Sequence, residues 1–392
     1  MHIPALLKAA ILACAMPAAV QAAPYVPADG TQVIERLPGQ GNPAHKEMQR
    51  LRAALAASPQ NQQLATTLAR RYIETGRRTG DPRYLGYAQA ALSPWWDQPQ
   101  APNAVRILRA TILQSQHHFA QALADLDAVL GSDPGNAQAW LTRATILQVQ
   151  GQYDQARKSC VQLQGRVPEL VAVTCIAGVD SLNGEDVRSY AVLEDVLKKN
   201  DGADPSVKVW AMTLLAEMAE RQGNHAKAEQ HYRQALALDP SDTYLLGAFA
   251  DFLLDRNQPA DVATLLQKNT RADGLLLRYA LALKRQGLPD AAKHIDTLQS
   301  RFAAAALRGD TVHRREQARF ALHLRDDARG AFELARQNWS VQKEPADTRI
   351  LLEAAVANNA KAEARPVLAW LKQTGLQDRT LQELAAKLES AG

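Results

Sequence analysis

The residue types that most often carry chemistry are thinly spread along this chain of 392 residues. His117 and His118 form its one adjacent histidine pair. Neighbouring side chains of a helix point in different directions, so two successive imidazoles make a poor ligand pair for one metal ion. There is no His-Glu-x-x-His zinc motif, no glycine-rich phosphate loop and no Gly-x-Ser-x-Gly nucleophile elbow. His313 and His323 stand among Arg314, Arg315, Arg319, Arg325, Arg329 and Arg336, which alternate with Glu316, Asp326, Asp327 and Glu333. Mixed signs at that spacing read as a solvated, salt-bridged helix face with surface histidines, not as an anion site. Arg70, Arg71, Arg77 and Arg78 cluster without compensating acids and are a candidate contact for an acidic partner. No catalytic residue, metal or cofactor is expected, so the chain reads as a binding protein and not as an enzyme.

Three cysteines remain, Cys14, Cys160 and Cys175. What they do depends on compartment, and the first 22 residues bear on that. Lys8 closes a short basic region, Ala9 to Met16 form an apolar core, and Val20 and Ala22 are small residues at the right spacing for cleavage after Ala22. The apolar run is shorter than the ~20 residues that a membrane span needs. A lipoprotein anchor at Cys14 is the alternative, although Ile11-Leu-Ala-Cys14 fits that signal poorly. The expectation is a periplasmic or secreted protein whose mature chain keeps two cysteines and no integral membrane segment.

Composition narrows the class further. Hydrophobic residues make up 46% of the chain but aromatics only 5%, a balance suited to helices packed through small side chains. A net charge of +4 is too slight to argue for nucleic acid or an anionic membrane surface. Pro24, Pro27, Pro38, Gly39 and Gly41 mark residues 23–42 as a linker without periodicity. From Pro43 onward, apolar residues recur at helical spacing.

The elements that follow repeat. Residues 103–168 can be written as two lines of about 34 residues in which Ala110 falls over Ala144, Ala122 over Ala156, and Asp133-Pro134 over Val167-Pro168. Trp140, Ala144, Gly151, Tyr153, Ala156 and Pro168 then occupy the fourth, eighth, fifteenth, seventeenth, twentieth and thirty-second places of the second line. That pattern resembles the tetratricopeptide repeat, a helix–turn–helix unit of the same period. Small residues at the eighth and twentieth places allow two helices to approach closely, and a glycine at the turn supplies positive φ. A second strong copy, residues 209–240, has Ala216, Gly223, Ala228, Tyr232, Ala235 and Pro240 in register. Weaker copies begin at Asn61, Leu170, Thr243, Gly274, Thr311 and Ala346. In the first of these Gly76 falls at the turn, followed by an insertion at residues 77–83, and residues 243–269 have Val262 at the twentieth place and a short second helix. Trp95-Trp96 read as a staple under the next hairpin. The expected fold is all-α, an α-α superhelix (TPR solenoid) of about eight to nine helical hairpins spanning residues 43–392, with capping helices at Pro43–Ala57 and Gln377–Ser390.

In the family so resembled, positions two, five, nine, twelve and thirteen of each first helix line a concave groove. The resemblance places there Ile107, Thr111, Gln114 and Ser115, then Gln138, Leu141, Thr145, Gln148 and Val149, then Trp210, Thr213, Glu217, Glu220 and Arg221. The lysine and asparagine pair with which chaperone-binding members hold a C-terminal carboxylate is absent from these places. Cys160 falls on a second helix that faces the following first helix, which carries Cys175, and an oxidising compartment would bridge them. The implied function is a periplasmic or exported scaffold that binds a protein or peptide through the groove. An accessory role in exopolysaccharide export or outer-membrane assembly is the alternative, by analogy of fold alone.

Overall fold

A helical hairpin whose two helices each carry an apolar stripe can bury one stripe internally and must cover the other with a neighbour. The computed structural model shows how this chain meets that demand; it describes Asp29 and residues 43–390. The proposed signal at 1–22 lies outside the described residues, as does all of the linker except Asp29. Two units divide the chain, residues 1–49 and 50–392. Of the first, the described part is Asp29 and the beginning of α1 (Pro43–Ala57).

In the second unit α2 (Gln62–Thr79) pairs with α3 (Arg83–Ala91), and a short helix, α4 (Ser93–Trp96), follows. Next come α5 (Asn103–Ser115) with α6 (Phe119–Ser132), α7 (Ala137–Val149) with α8 (Tyr153–Val161), and α9 (Glu169–Leu182) with α10 (Asp186–Lys199). They are followed by α11 (Pro205–Arg221) with α12 (His225–Leu238), α13 (Thr243–Asp255) with α14 (Pro259–Leu266), and α15 (Asp273–Arg285) with α16 (Ala291–Leu307). The pairs α17 (Arg314–Leu324) with α18 (Ala328–Trp339) and α19 (Pro345–Ala357) with α20 (Lys361–Thr374) bring the described hairpins to nine, and α21 (Arg379–Ser390) ends the array. Each first helix packs on the next first helix, α2 on α5, α5 on α7 and so on to α19. No strand occurs among the described residues.

Eight successive hairpin turns share one device. His117, Gly151, Gly184, Gly223, Asn257, Gly287, Asp326 and Asn359 all take φ between 54° and 88°. A left-handed residue there lets the next amide reach back into the helix just ended: His118 N donates to Leu113 O, Gln152 N to Leu147 O, Asn224 N to Ala219 O and Leu288 N to Leu283 O. This six-to-one bond satisfies carbonyls that the helix end leaves without partners. Where glycine is missing, the replacement is His, Asn or Asp, the side chains that tolerate this region best. His117 is thus a turn residue in a place that usually takes glycine.

The first hairpin departs from expectation. Gly76 lies inside α2, where a Cβ would meet Tyr84 Cβ at 3.2 Å, and the left-handed residue is Gly80. Three residues of the insertion at 77–83, Arg77 to Thr79, therefore lengthen the helix instead of looping out. The small residues do what close packing requires: Ala110, Ala122, Ala156, Ala216, Ala228 and Ala250 are wholly buried and Ala144 nearly so. Val262 is wholly buried too, at the head of an α14 only 8 residues long. Trp95 is buried and Trp96 packs on the cluster formed by α5 and α6, the staple expected of them.

The array winds back on itself. The turn after α2 meets the starts of α13 and α15, with Thr243 Oγ1 donating to Arg78 O at 3.2 Å and Gly80 against Ala272. The next four hairpin turns meet the C-terminal elements in strict order. His117 faces Thr311, Arg314, Asn338 and Val341 around a cavity of about 80 Å³. Gly151 lies against Lys343 and Trp370, Gly184 against Thr374 and Gly375, and Gly223 against Arg379. One apolar cluster accordingly joins Leu147, Tyr153, Cys160 and Val179 to Ile350, Val367, Leu376 and Leu388.

Within that cluster Cys160 and Cys175 form a disulfide between α8 and α9, with Cα atoms 5.5 Å apart and 15 residues separating them. Closing a loop of that length contributes about 3 kcal/mol by restricting the unfolded chain. Thiol titration of denatured, unreduced protein that begins at Ala23 is expected to find no free thiol. The Cys160→Ala/Cys175→Ala variant is expected to lose about 3 kcal/mol in urea unfolding; two titratable thiols in the parent protein would contradict both.

Candidate partner-binding channel

Because first helices pack on first helices, their remaining face turns toward the inside of the winding. Side chains from different first helices meet there. Asp251 on α13 accepts from Arg278 on α15 and from Arg319 on α17, the latter at 2.9 and 3.1 Å. Asp255, one turn on, accepts from both terminal nitrogens of Arg349 on α19. Arg349 Nε also donates to Glu353 at 2.7 Å, and His323 Nε2 lies 2.9 Å from the same carboxylate. Arg315 reaches Glu316, Glu344 and Asp347. These carboxylates carry charge into a confined interior where water is scarce. Burial alone would raise their pKa values, yet the guanidinium partners outweigh it. Arg278 and Arg319 hold Asp251 well below the carboxylate range, Arg315 and Arg278 hold Glu316 at about 2, and His323 and Arg349 hold Glu353 at about 2.

Other carboxylates are shifted the opposite way. Glu220 accepts from the Tyr232 hydroxyl at 3.1 Å, but burial and the nearby Asp255 charge raise it to about 8. Glu344 rises to about 7 through burial and Asp347, although Arg315 Nη1 donates to it at 3.1 Å. Glu217 is raised by burial although the Tyr244 hydroxyl donates to its Oε1 at 2.6 Å. Tyr244 leaves 65% of its surface open to solvent, and its environment includes the charges of Glu344 and Arg315 across the interior. A wall of carboxylates that hold their protons to higher pH, and one open phenol, therefore stands beside the tightly paired clasp.

The residues expected to line the groove divide into two sets. Gln138 and Thr145 are exposed, Gln114, Leu141, Gln148 and Glu217 are half-buried, and Trp210 is 37% exposed. They lie on α5, α7 and α11, on the line that the repeat positions prescribe. Ile107 packs on the α5–α6 cluster and is mostly core. Thr111 and Thr213 are corrected outright: both are buried, with hydroxyls donating to Ile107 O and Val209 O one turn back. Arg221 is also withdrawn from the open set, because its guanidinium is held by Asp186 at 2.7 Å and Ser181 at 3.0 Å in a pair with almost no exposure. Arg315 and Arg319, read as part of a solvated outer face, belong instead to the inner clasp, and His323 joins them. At the turn before α6, burial and Arg315 push the His117 imidazole down to about 4, so it is neutral at pH 7.

Tyr244, Asp251 and Asp255 were not singled out by sequence. They occupy positions two, nine and thirteen of the repeat that begins at Thr243, and Arg315, Arg319 and His323 hold positions five, nine and thirteen of the one beginning at Thr311. The signal lay in extending the positional rule to the weaker copies. Among the described residues, no group of three or more His, Cys, Asp or Glu side chains is arranged to hold a metal ion.

The carboxylates set a pH dependence. Glu316 and Glu353, depressed from 4.5 to about 2, add stability that is present above pH 4.5 and lost as pH falls toward 2. Glu220, raised from 4.5 to about 8, acts with the opposite sign. The folded state binds its proton more tightly, so stability falls as pH rises from about 4.5 to about 8. Urea unfolding across this range is expected to show a maximum near the acid end of neutrality. Glu220→Gln, which still accepts from Tyr232, is expected to flatten the loss between pH 5 and 8; an unchanged slope would count against it.

Comparison with known proteins gives the following. Two family models described as tetratricopeptide repeat match residues 113–169 and 183–306. Among solved structures, the chain is similar to a tetratricopeptide repeat protein from Parabacteroides merdae, at 15% identity and a TM-score of 0.36, covering 73% of this chain and 98% of that one. It is similar to yeast Tom70 at 12% identity and a TM-score of 0.36, covering 89% and 91%. A human IFIT1 dimer with m7Gppp-AAAA matches at 14% identity and a TM-score of 0.45, covering 88% and 86%. No curated protein sequence matches the chain.

Proposed function

Because the chain belongs to the tetratricopeptide repeat superfamily, whose arrays are protein-interaction scaffolds, we propose that it holds an extended polypeptide segment in its inner channel. The observation that carries this reading is the open line Gln138, Leu141, Thr145 and Gln148 on α7, continued by Trp210 and Glu217 on α11 and Tyr244 on α13. Amide and hydroxyl groups along one wall suit the backbone of an unfolded strand. Two large aromatics beside a carboxylate suit an anchor side chain, since aromatic residues dominate the energy of such contacts. The winding argues for an extended segment over a folded domain, because the C-terminal hairpins stand against the turns of α5 to α11 and narrow the lateral approach. The walls are preset by stacking, so binding incurs little ordering cost in the scaffold.

We further propose that the protein works outside the cytoplasm, as a periplasmic or exported scaffold. The composition of residues 1–22 supports export, and a disulfide between Cys160 and Cys175 suits an oxidising compartment. No helix among the described residues is long and apolar enough to cross a membrane.

Pull-down from periplasmic extract with wild type and with Trp210→Ala/Glu217→Ala tests the channel. Capture of the same partner is expected to fall by roughly 30-fold, the loss of about 2 kcal/mol typical of an anchor site. Tm should stay within a few degrees. Unaltered capture, or a collapse of Tm in place of a loss of binding, would refute the assignment.

A further inference from the structure

The C-terminal arm, α17 to α21, is joined to the rest of the array in an unusual way. The second helices α6, α8, α10, α12, α14 and α18 each pack along the first helix that follows them, whereas α16 lies almost free of α17. Phe302 against Phe320, at 5.4 Å between ring centres, bridges that junction. The connection at 308–313 contains Gly309 with φ 70° and open space around the position of its missing Cβ, and it follows Leu307, which is 91% exposed. The junction keeps the first-helix contact of α17 on α15, with Lys284 Nζ donating to His323 O at 3.0 Å. It lacks the second-helix contact that braces the others, and with a left-handed glycine beside it this is where the solenoid can bend.

The far side of the arm is fastened by separate contacts. Lys343 N donates to Val149 O at 2.8 Å, and Trp370 packs between Tyr153 and Trp339 at 6.1 and 6.0 Å. This seam is not fully satisfied: the Tyr153 hydroxyl and Trp339 Nε1 are both buried without a hydrogen-bond partner. Separation would return both to water, and their hydration offsets part of the cost of exposing the apolar faces. Across the interior, the arm is tied to α13 by Arg319 with Asp251 and Arg349 with Asp255, pairs whose side chains remain 20–33% exposed and are therefore reached by salt, though screened less than fully exposed pairs.

We infer that α17–α21 is a gate, hinged at 308–313 and latched by the Trp370 seam and the two ion pairs, that lifts to admit a segment sideways into the channel. The inference rests on the channel reading above for its purpose, but its test needs no partner, so the two can fail separately. Small-angle scattering and hydrogen exchange of the Lys343 amide would be recorded on the full chain at about 0.1 M and about 1 M salt, where the screening length falls from ~10 to ~3 Å. Three proteins are compared: wild type, Asp251→Asn/Asp255→Asn, and a Gly151→Cys/Lys343→Cys crosslink. The last is feasible because a Cβ at Gly151 would lie 3.3 Å from Lys343 Cβ.

The radius of gyration of wild type is expected to rise with salt, and its Lys343 amide to exchange roughly tenfold faster. The Asn variant should be expanded already at low salt, and the crosslinked protein should not respond. Circular dichroism must show helix content unchanged throughout. Should the Asn variant unfold, the wild-type and crosslinked series decide alone. A wild type whose dimensions and Lys343 exchange ignore salt would overturn the gate, and so would a crosslinked protein that expands as wild type does.

Discussion

The close approach of two antiparallel helices through small side chains is the contact on which everything else in this protein depends. Ala144 against Ala156, or Ala216 against Ala228, lets the backbones meet where a larger side chain would hold them apart. A hairpin closed this tightly is thin, and its outer stripes remain bare, so neighbours must cover them. Stacking then sets a small rotation between successive hairpins. Nine of them accumulate enough rotation to bring α13 and α15 back against the first hairpin, and the later elements against the next four turns.

That closure changes the electrostatics of the inner face. On an open superhelix, charged side chains of the first helices would be solvated singly and contribute little. Here successive first helices come within hydrogen-bonding distance, and Asp251 on α13 is shared by Arg278 on α15 and Arg319 on α17. The same confinement penalises charges that are not outweighed by cations, which is why Glu220, and Glu344 beside Asp347, hold their protons to higher pH while Glu316 and Glu353 release theirs early. The candidate surface and the structural clasp thus both draw on the inner face of the first helices, and differ in whether a counter-charge arrives from another first helix.

The hairpin turns serve twice. Their left-handed residues end the first helix with a six-to-one hydrogen bond, and their lack of bulk lets the next winding settle on them. Gly151 shows both uses, with φ 73° and Lys343 and Trp370 within 3.3 Å of where a Cβ would stand. At His117 the side chain fills what glycine would leave open, and the neighbouring small cavity marks the place where the two windings fit less well.

The sequence by itself determined the hairpins. Helical period, alanine at fixed places and a Gly, Asn or Asp at the turn are local instructions, and each acts within about 34 residues, so they can be read one repeat at a time. The Cys160–Cys175 pairing was legible for the same reason, since it joins adjacent elements. Gly76 misled because the insertion after it supplied a second glycine, Gly80, better placed to end the helix. What only the tertiary structure decided is the company each inner side chain keeps. Arg221 looked free until α10 brought Asp186 to it, and Arg315 and Arg319 looked solvated until the windings closed over them. Asp186 lies 35 residues from Arg221, in the adjacent hairpin, and Asp251 lies 68 from Arg319, two hairpins away. Such meetings depend on how one hairpin is rotated on the next, a quantity that no single repeat encodes.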